Sequence, residues 1–277
     1  MMEGTHLRSD MRRYPTVVTQ HQSDILNLRK SYTKFHGKCP TCRDTGTYQY
    51  MGETHECEKD EDGVCIQIKL LRFYELANIP QTYQRLNWST DFVGQPSIRE
   101  DVQAYIDNIE NCLTEGVGMT FYSKTLGTGK TFCATHILKE VVKKRRDKGF
   151  YTGYYIGFYE LIGLYQIPEG EEIMSRLLDA DLIVIDDIEK GRSSEKQNDF
   201  YSASLERVIR KRMENSTPTL ITTNLLPNEL KESYNRIFSL LADRNMPQEL
   251  KSDDTRISRG VEPRIERAFR NEMPPIT

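Results

Sequence analysis

The chain has little excess of either charge, with 38 Lys and Arg against 41 Asp and Glu in 277 residues. Global charge therefore does not advertise a nucleic-acid binder, and any such surface must be a local basic patch. No run approaches the roughly 20 apolar residues that a membrane span needs. No apolar stretch follows the charges of the opening MMEGTHLRSDMRRYP, so no secretory signal is read there and the expected compartment is cytoplasmic, with no membrane partner. Glycine and proline are sparse, at 17 and 11, and 37% of residues are hydrophobic. Collagen-like and wholly disordered chains are thereby excluded. Internal repeats and low-complexity segments are lacking too.

Cysteine is the first positive signal. Cys39, Cys42, Cys57 and Cys65 crowd into the part of the chain poorest in core-forming runs, while Cys112 and Cys133 stand apart in helical patterns and read as core. Without a secretion signal a metal site is favoured over disulfides. Residues 1–38 are polar, with a weak helical pattern around Ile25, Leu28 and Tyr32. Residues 39–65 cannot bury much core and need a staple. The spacing of Ile66, Ile68, Leu70, Leu71, Phe73, Tyr74 and Leu76 predicts a short amphipathic helix ending before Asn78-Ile79-Pro80. The run QTYQRLNWSTDF reads as a loop or linker.

From about Ser97 helices and strands alternate. Helical spacing covers Ile98 to Leu113, Thr131 to Lys144, Ile173 to Leu178 and Phe200 to Met213. Strands are expected at Gly118 to Ser123, Tyr154 to Phe158, Leu182 to Asp186 and Thr219 to Asn224. The apolar run Leu182-Ile-Val-Ile185 is typical of a strand buried on both faces. The alternation implies an α/β fold with a mostly parallel sheet flanked by helices.

Gly127-Thr128-Gly129-Lys130-Thr131 lies between a strand and a helix, as a phosphate-binding loop requires. Its glycines let backbone N–H groups turn toward phosphate oxygens, and the helix N-terminus favours the same anion. Lys130 would reach the β- and γ-phosphates and Thr131 would bind Mg²⁺. Lys124 stands where the motif has glycine, so either the turn into the loop is altered or Lys124 adds a phosphate contact. Asp186 and Asp187 end a buried strand; Asp186 would hold Mg²⁺, and Asp187 would orient or deprotonate the attacking water. Asn224, at the end of another strand, is placed to position that water, or else opens the following turn.

Lys130-Thr131, Asp186-Asp187 and Asn224 at this spacing resemble the AAA+ ATPases. The resemblance narrows to the replicative-helicase loaders of the DnaC/DnaI type and the related transposition ATPase IstB. Asn78-Ile79-Pro80 with Tyr83 and Asp91-Phe92 resembles the segment that leads into the ATPase core. Tyr155 to Ile162, then Ile173 to Leu178, resembles the strand and additional helix of the initiator and loader clade. Cys39-Pro-Thr-Cys42 is similar to the cysteine knuckle of many relatives. The match runs from about residue 39 to 241. It implies ATP and Mg²⁺ as cofactors and ATP hydrolysis as the activity. It also implies that Arg236 is an arginine finger delivered to a neighbouring subunit's ATP, with Arg244 a weaker candidate. A second sensor arginine is not assigned; Arg256, Arg259 and Arg264 lie in a tail without alignable pattern.

The Cys39-x-x-Cys42 spacing lets two thiolates reach one tetrahedral ion. The second pair comes from His55, Cys57 and Cys65. Thiolates bind Zn²⁺ strongly, and in the loaders the second pair lies just before a helix, as Cys65 does, so Cys57 and Cys65 are chosen with His55 the alternative ligand. Four ligands leave no open position, which makes the zinc structural. Lys143 to Lys148 reads as charge complementing a helix C-terminus. Arg210-Lys-Arg212 reads as a solvated helix face, and the tyrosines at 151, 154, 155 and 159 as strand and core residues.

The reading implied by the resemblance has three parts. Residues 1–75 bind zinc and grip a hexameric replicative DNA helicase, residues 76–96 are a linker, and residues 97–277 are the AAA+ ATPase. The ATPase would self-assemble and engage single-stranded DNA. Two other readings stay open: an IstB-like transposition helper, against which the zinc knuckle argues, and a nucleotide-binding adaptor with little hydrolysis.

Overall fold

The structure, a computed structural model, describes residues 38–61, 63–146, 149–168, 170–189, 195–251 and 274–277. The helical pattern near Ile25 and the basic tail at 252–273 lie outside them. The cysteine segment forms a hairpin, β1 (Thr47–Tyr50) and β2 (Glu53–Glu56), followed by α1 (Ile66–Leu76). The stretch expected as a loop instead holds two short helices, α2 (Gln81–Gln84) and α3 (Trp88–Asp91). Asn87 explains α3: its side chain accepts from the Ser89 N–H, while Asp91 accepts from the Asn87 N–H.

The expected helix from Ile98 to Leu113 is two helices, α4 (Pro96–Asp107) and α5 (Ile109–Glu115). Asn108 breaks it by turning its own amide back to the Ala104 carbonyl. There follow β3 (Gly118–Tyr122), α6 (Lys130–Lys143), a small hairpin of β4 (Arg145–Arg146) and β5 (Gly149–Phe150), and β6 (Gly153–Gly157). The chain continues through α7 (Phe158–Gly163), α8 (Gly170–Asp179), β7 (Leu182–Ile188) and α9 (Glu195–Glu214). It then forms β8 (Thr219–Thr223), α10 (Pro227–Ser233), α11 (Asn235–Arg244) and β9 (Asn245–Glu249). No helix of the described residues is long and apolar enough to cross a membrane.

Five strands form one parallel sheet in the order β6-β7-β8-β3-β9. Period-2 alternation divides its core. Leu182, Val184 and Leu220 face α4, α5 and α6, whereas Ile183, Ile185 and Ile221 face α7 to α11. Both faces are covered, which is why these strands carry no polar alternation. Strand β9 had no recognisable signal: Asn-Met-Pro-Gln-Glu has poor strand propensity. It is an edge strand, where a residue without an N–H is tolerated.

Arg212 corrects the expectation of a solvated face. It is fully buried and donates to the carbonyls of Leu177, Ala180 and Pro218 and to the Thr219 hydroxyl. Those carbonyls end α8 and open β8, so one guanidinium ties three elements. Burial lowers it to about 9, against the opposing pull of Asp181 and Asp179, so it stays charged near neutrality.

A second cluster joins α3 to α6. Trp88 stacks on His136 at 4.4 Å and on Phe92 at 4.3 Å, and the Arg99 guanidinium lies 5.3 Å from both the Trp88 and Phe92 rings. Burial, then the charges of Lys139, Lys143 and Arg99, push His136 down to about 3. The Glu140 carboxylate, 3.9 Å away, does not offset them.

Arg212→Ala is expected to destabilise the chain by about 3–5 kcal/mol in urea unfolding, because carbonyls lose a buried charged donor. For His136 the unfolded chain takes up a proton below about pH 6.5 and the folded chain only near pH 3. The unfolded state therefore binds more protons in that window, so stability is fully present above pH 6.5 and is lost as pH falls through it. Urea midpoints of wild type should fall between pH 7 and 5, and those of His136→Gln should fall less. Parallel curves would disprove this account.

Candidate nucleotide site and metal centre

Strands β3, β7 and β8 end on the same side of the sheet, and β8 lies between the other two. The loops that follow therefore meet at one crevice, the place where open parallel sheets bind ligands. After β3 the chain turns through Gly127 (φ 70) and Gly129 (φ 96) into α6. These left-handed values are what the two glycines supply. Lys130 is buried, and its ammonium turns back to the Thr125 carbonyl at 3.3 Å. Thr131 is half-buried on the first turn of α6. The Thr128 hydroxyl is buried with no hydrogen-bond partner among the described residues.

Lys124 keeps a negative φ, so its backbone does not call for a glycine at that position. Nor is Lys124 aimed at the loop. Its ammonium pairs with Glu229 on α10, whose other oxygen accepts from the Leu226 N–H. The pair is exposed, and such pairs add little stability.

Asp186 and Asp187 are treated differently by the sheet. Alternation puts Asp186 on the α6 face with Leu182 and Val184, and it is 94% hidden from solvent, its residue exposure being 6%. Its Oδ1 accepts from the Thr222 hydroxyl and its Oδ2 from the Tyr155 hydroxyl, each at 2.6 Å. Asp187 has φ 55, and the β7–β8 register shifts between Ile185 and Ile188. The extra residue of this bulge is Asp187. It takes Asp187 out of the alternation to an exposed position, and Ile188 fills the core in its place. The Asp187 N–H donates to Thr222 Oγ1 at 2.9 Å. Asn224 follows β8, and its Oδ1 is buried without a hydrogen-bond partner among the described residues.

Two buried polar atoms without partners, two left-handed glycines and a buried lysine at a helix N-terminus fit a bound phosphate chain. Arg236 lies on α11, away from these loops in sequence. Its side chain is 81% exposed and lies 3.8 Å from the Glu206 carboxylate. Arg244 instead donates to the Glu115 carbonyl at the end of α5.

The four clustered cysteines converge. Cys39, Cys42, Cys57 and Cys65 are buried, and their sulfurs all lie within 4.8 Å of one another. Cys39 and Cys57 are 3.8 Å apart, and Cys42 and Cys65 3.6 Å. Zn–S bonds of about 2.3 Å put tetrahedral sulfurs about 3.8 Å apart, whereas a disulfide needs about 2.05 Å. The donor set and spacing fit a closed zinc site. His55 is turned elsewhere: its ring stacks on Tyr48 at 5.4 Å and its Nε2 lies 3.2 Å from the Tyr50 carbonyl. Burial raises Cys57 strongly and Cys65 to about 11. Burial also acts to raise Cys42, but hydrogen bonds from the Gly46 backbone and from the Cys39 and Cys65 thiols outweigh it and bring it to about 7. A divalent cation bound there would favour the thiolate form that burial of Cys57 and Cys65 opposes.

Sequence reasoning passed over Tyr155, Thr222 and Glu229. Thr222 carried a faint signal, a hydroxyl on the inward face of an otherwise apolar strand.

Metal analysis of protein purified without added chelator should find about one zinc per chain, the stoichiometry of a four-thiolate site. Cys57→Ser or Cys65→Ser should lose it, and chelation should lower the melting temperature. Retention of full zinc by both variants would exclude the four-thiol set.

Comparison with sequence-family models gives no match, and none is found among curated protein sequences. Solved structures do match. A protein of Streptococcus pyogenes serotype M3, assigned provisionally as a primosome component, is 18% identical over 65% of this chain and 93% of its own, with a TM-score of 0.51. DnaI is 18% identical over 62% of this chain and 95% of its own, with a TM-score of 0.50. The DnaC helicase loader is 22% identical over 65% of this chain and 99% of its own, with a TM-score of 0.48. At these identities the likeness is one of fold: the parallel sheet with its flanking helices is similar to that of DnaI.

Proposed function

We propose that the chain is an ATPase that loads a hexameric replicative DNA helicase onto single-stranded DNA. The observation that carries the ATPase part is the meeting, at one end of the sheet, of the 127–131 loop, the Asp186–Asp187 pair and Asn224. In this reading the loop N–H groups and Lys130 hold the phosphates, and Thr131 and Asp186 hold Mg²⁺. Held there, the cation would supply charge neutralisation to the phosphates. Asp187 accepts the proton of the attacking water and Asn224 orients that water. Exposed Arg236 completes a neighbouring subunit's site, which makes hydrolysis depend on self-assembly.

The loader part is supported by the DnaI-like fold and by the four-thiol cluster ahead of it. Residues 1–75 would grip the helicase, residues 76–96 would join the two parts, and residues 97–277 would hydrolyse ATP and contact the DNA strand. ATP binding would hold the assembly and hydrolysis would release it.

The test combines light scattering after size exclusion with an ATPase assay. Wild type should form a complex with its host's replicative helicase in ATP, and deletion of residues 1–75 should abolish it. Asp187→Asn should bind ATP yet lose turnover about a hundredfold or more, as expected for a general base. Absence of a helicase complex in every nucleotide state would overturn the loader reading in favour of a transposase partner. ATP binding without wild-type turnover would make the chain an adaptor.

A further inference from the structure

We propose that Tyr155 is a positioning residue for Asp186, and that its main chain ties this role to the end of α1. The inference rests on Asp186 being the carboxylate that receives the divalent cation, and it adds a residue outside the loop, the acid pair and Asn224.

The side chain comes first. Asp186 is buried, and two hydroxyls hold its two oxygens, Thr222 from β8 and Tyr155 from β6, each at 2.6 Å. These are short bonds to a carboxylate, the strong kind. They fix the plane of the carboxylate and leave the remaining lone pair of each oxygen for a cation or its water. The Tyr155 ring packs against the core on the α6 face, so the hydroxyl cannot swing independently.

The main chain comes second. Strand β6 lies at the edge of the sheet, and its free side at Tyr155 is taken by the residues that follow α1. The Tyr155 N–H donates to the Ala77 carbonyl at 2.8 Å, and the Asn78 side-chain amide donates to the Tyr155 carbonyl at 2.9 Å. Asn78 reaches it from φ 53, a conformation asparagine accepts more readily than most residues. Helix α1 begins directly after Cys65 and runs 11 residues to Leu76, a rigid span of about 16 Å. A continuous route thus leads from the cysteine cluster to the carboxylate, and a partner that shifts α1 acts on Asp186 through Tyr155.

The test is Mn²⁺ binding, read from the EPR signal of the free ion, with a non-hydrolysable ATP analogue on the full chain. Tyr155→Phe removes one oxygen and keeps the ring. It should weaken Mn²⁺ binding about tenfold, the scale of losing a group that orients a metal ligand. Affinity for the analogue in EDTA should stay at the wild-type value, while the melting temperature should fall modestly because a buried carboxylate loses one donor. Asn78→Gly, which keeps the backbone conformation and removes the amide, should weaken Mn²⁺ binding in the same direction by less. Wild-type Mn²⁺ affinity in Tyr155→Phe would overturn the inference while leaving the ATP site intact, and wild-type affinity in Asn78→Gly would overturn the link to α1. Equal loss of analogue binding in EDTA would make Tyr155 a packing residue and overturn it too. A wild-type chain that binds neither analogue nor Mn²⁺ would overturn the ATP reading itself, and this inference with it.

Discussion

A carboxylate at the end of a strand that is apolar on both faces must find donors, because an unpaired buried charge is costly. Asp186 is that carboxylate, and much of the surrounding architecture answers to it. Strand β8 supplies Thr222 and β6 supplies Tyr155, so three strands must stand in one register for the charge to be satisfied. Thr222 serves twice, donating to Asp186 and accepting from the Asp187 N–H. That second bond helps hold the bulge that turns Asp187 outward, so one acid is kept in the sheet and its neighbour is presented to solvent. Adjacent residues acquire different environments, which is the condition for different chemical roles.

The segment ahead of the sheet packs Phe73, Tyr74, Ile79 and Phe92 into the same core as α6, and polar groups that find leftover carbonyls add to that attachment. Lys139 on α6 is buried and donates to the carbonyls of Tyr83 and Leu86 and to the Thr277 hydroxyl. Burial, and then the nearby Lys143 charge, bring it down to about 7. Arg85 donates to the carbonyls of Pro40 and Pro274, joining the cysteine segment to the last residues. Residues 274–277 lie against α1: Gln67 donates to the Ile276 carbonyl and Tyr74 to Thr277 O, while the Ile276 side chain is buried. Short helices such as α2 expose carbonyls that no turn of their own satisfies, and long-range donors close that deficit.

These bonds give the cysteine cluster a mechanical position. A closed four-thiol site does no chemistry of its own. A metal held there would stiffen a segment with too few apolar residues for a core, and Cys65 opens the helix whose far end touches β6. Lys124 shows a comparable substitution of roles: a lysine in a phosphate-loop position is committed to Glu229 and links the loop to α10.

The local patterns were legible in the residues alone. Period-2 and period-3.6 spacing located β3, β6, β7, β8, α1, α6, α8 and α9 to within a few residues, because those elements bury one stripe or both faces and composition records it. Gly127 to Thr131 and Cys39-x-x-Cys42 were legible because a phosphate cradle and a tetrahedral ion each demand particular residues at short range. Strand β9, with its Pro247, was not legible, since an edge strand imposes little on composition. Nor was the break at Asn108, where one side-chain hydrogen bond competes with a good helical pattern. Only the tertiary structure decided which distant groups meet: Arg212 with the end of α8, Lys124 with Glu229, Tyr155 with Asp186, and Ile276 with α1. Such partners are set by which donors and acceptors remain unpaired after the elements pack, and that remainder is a property of the assembled fold that no local spacing encodes.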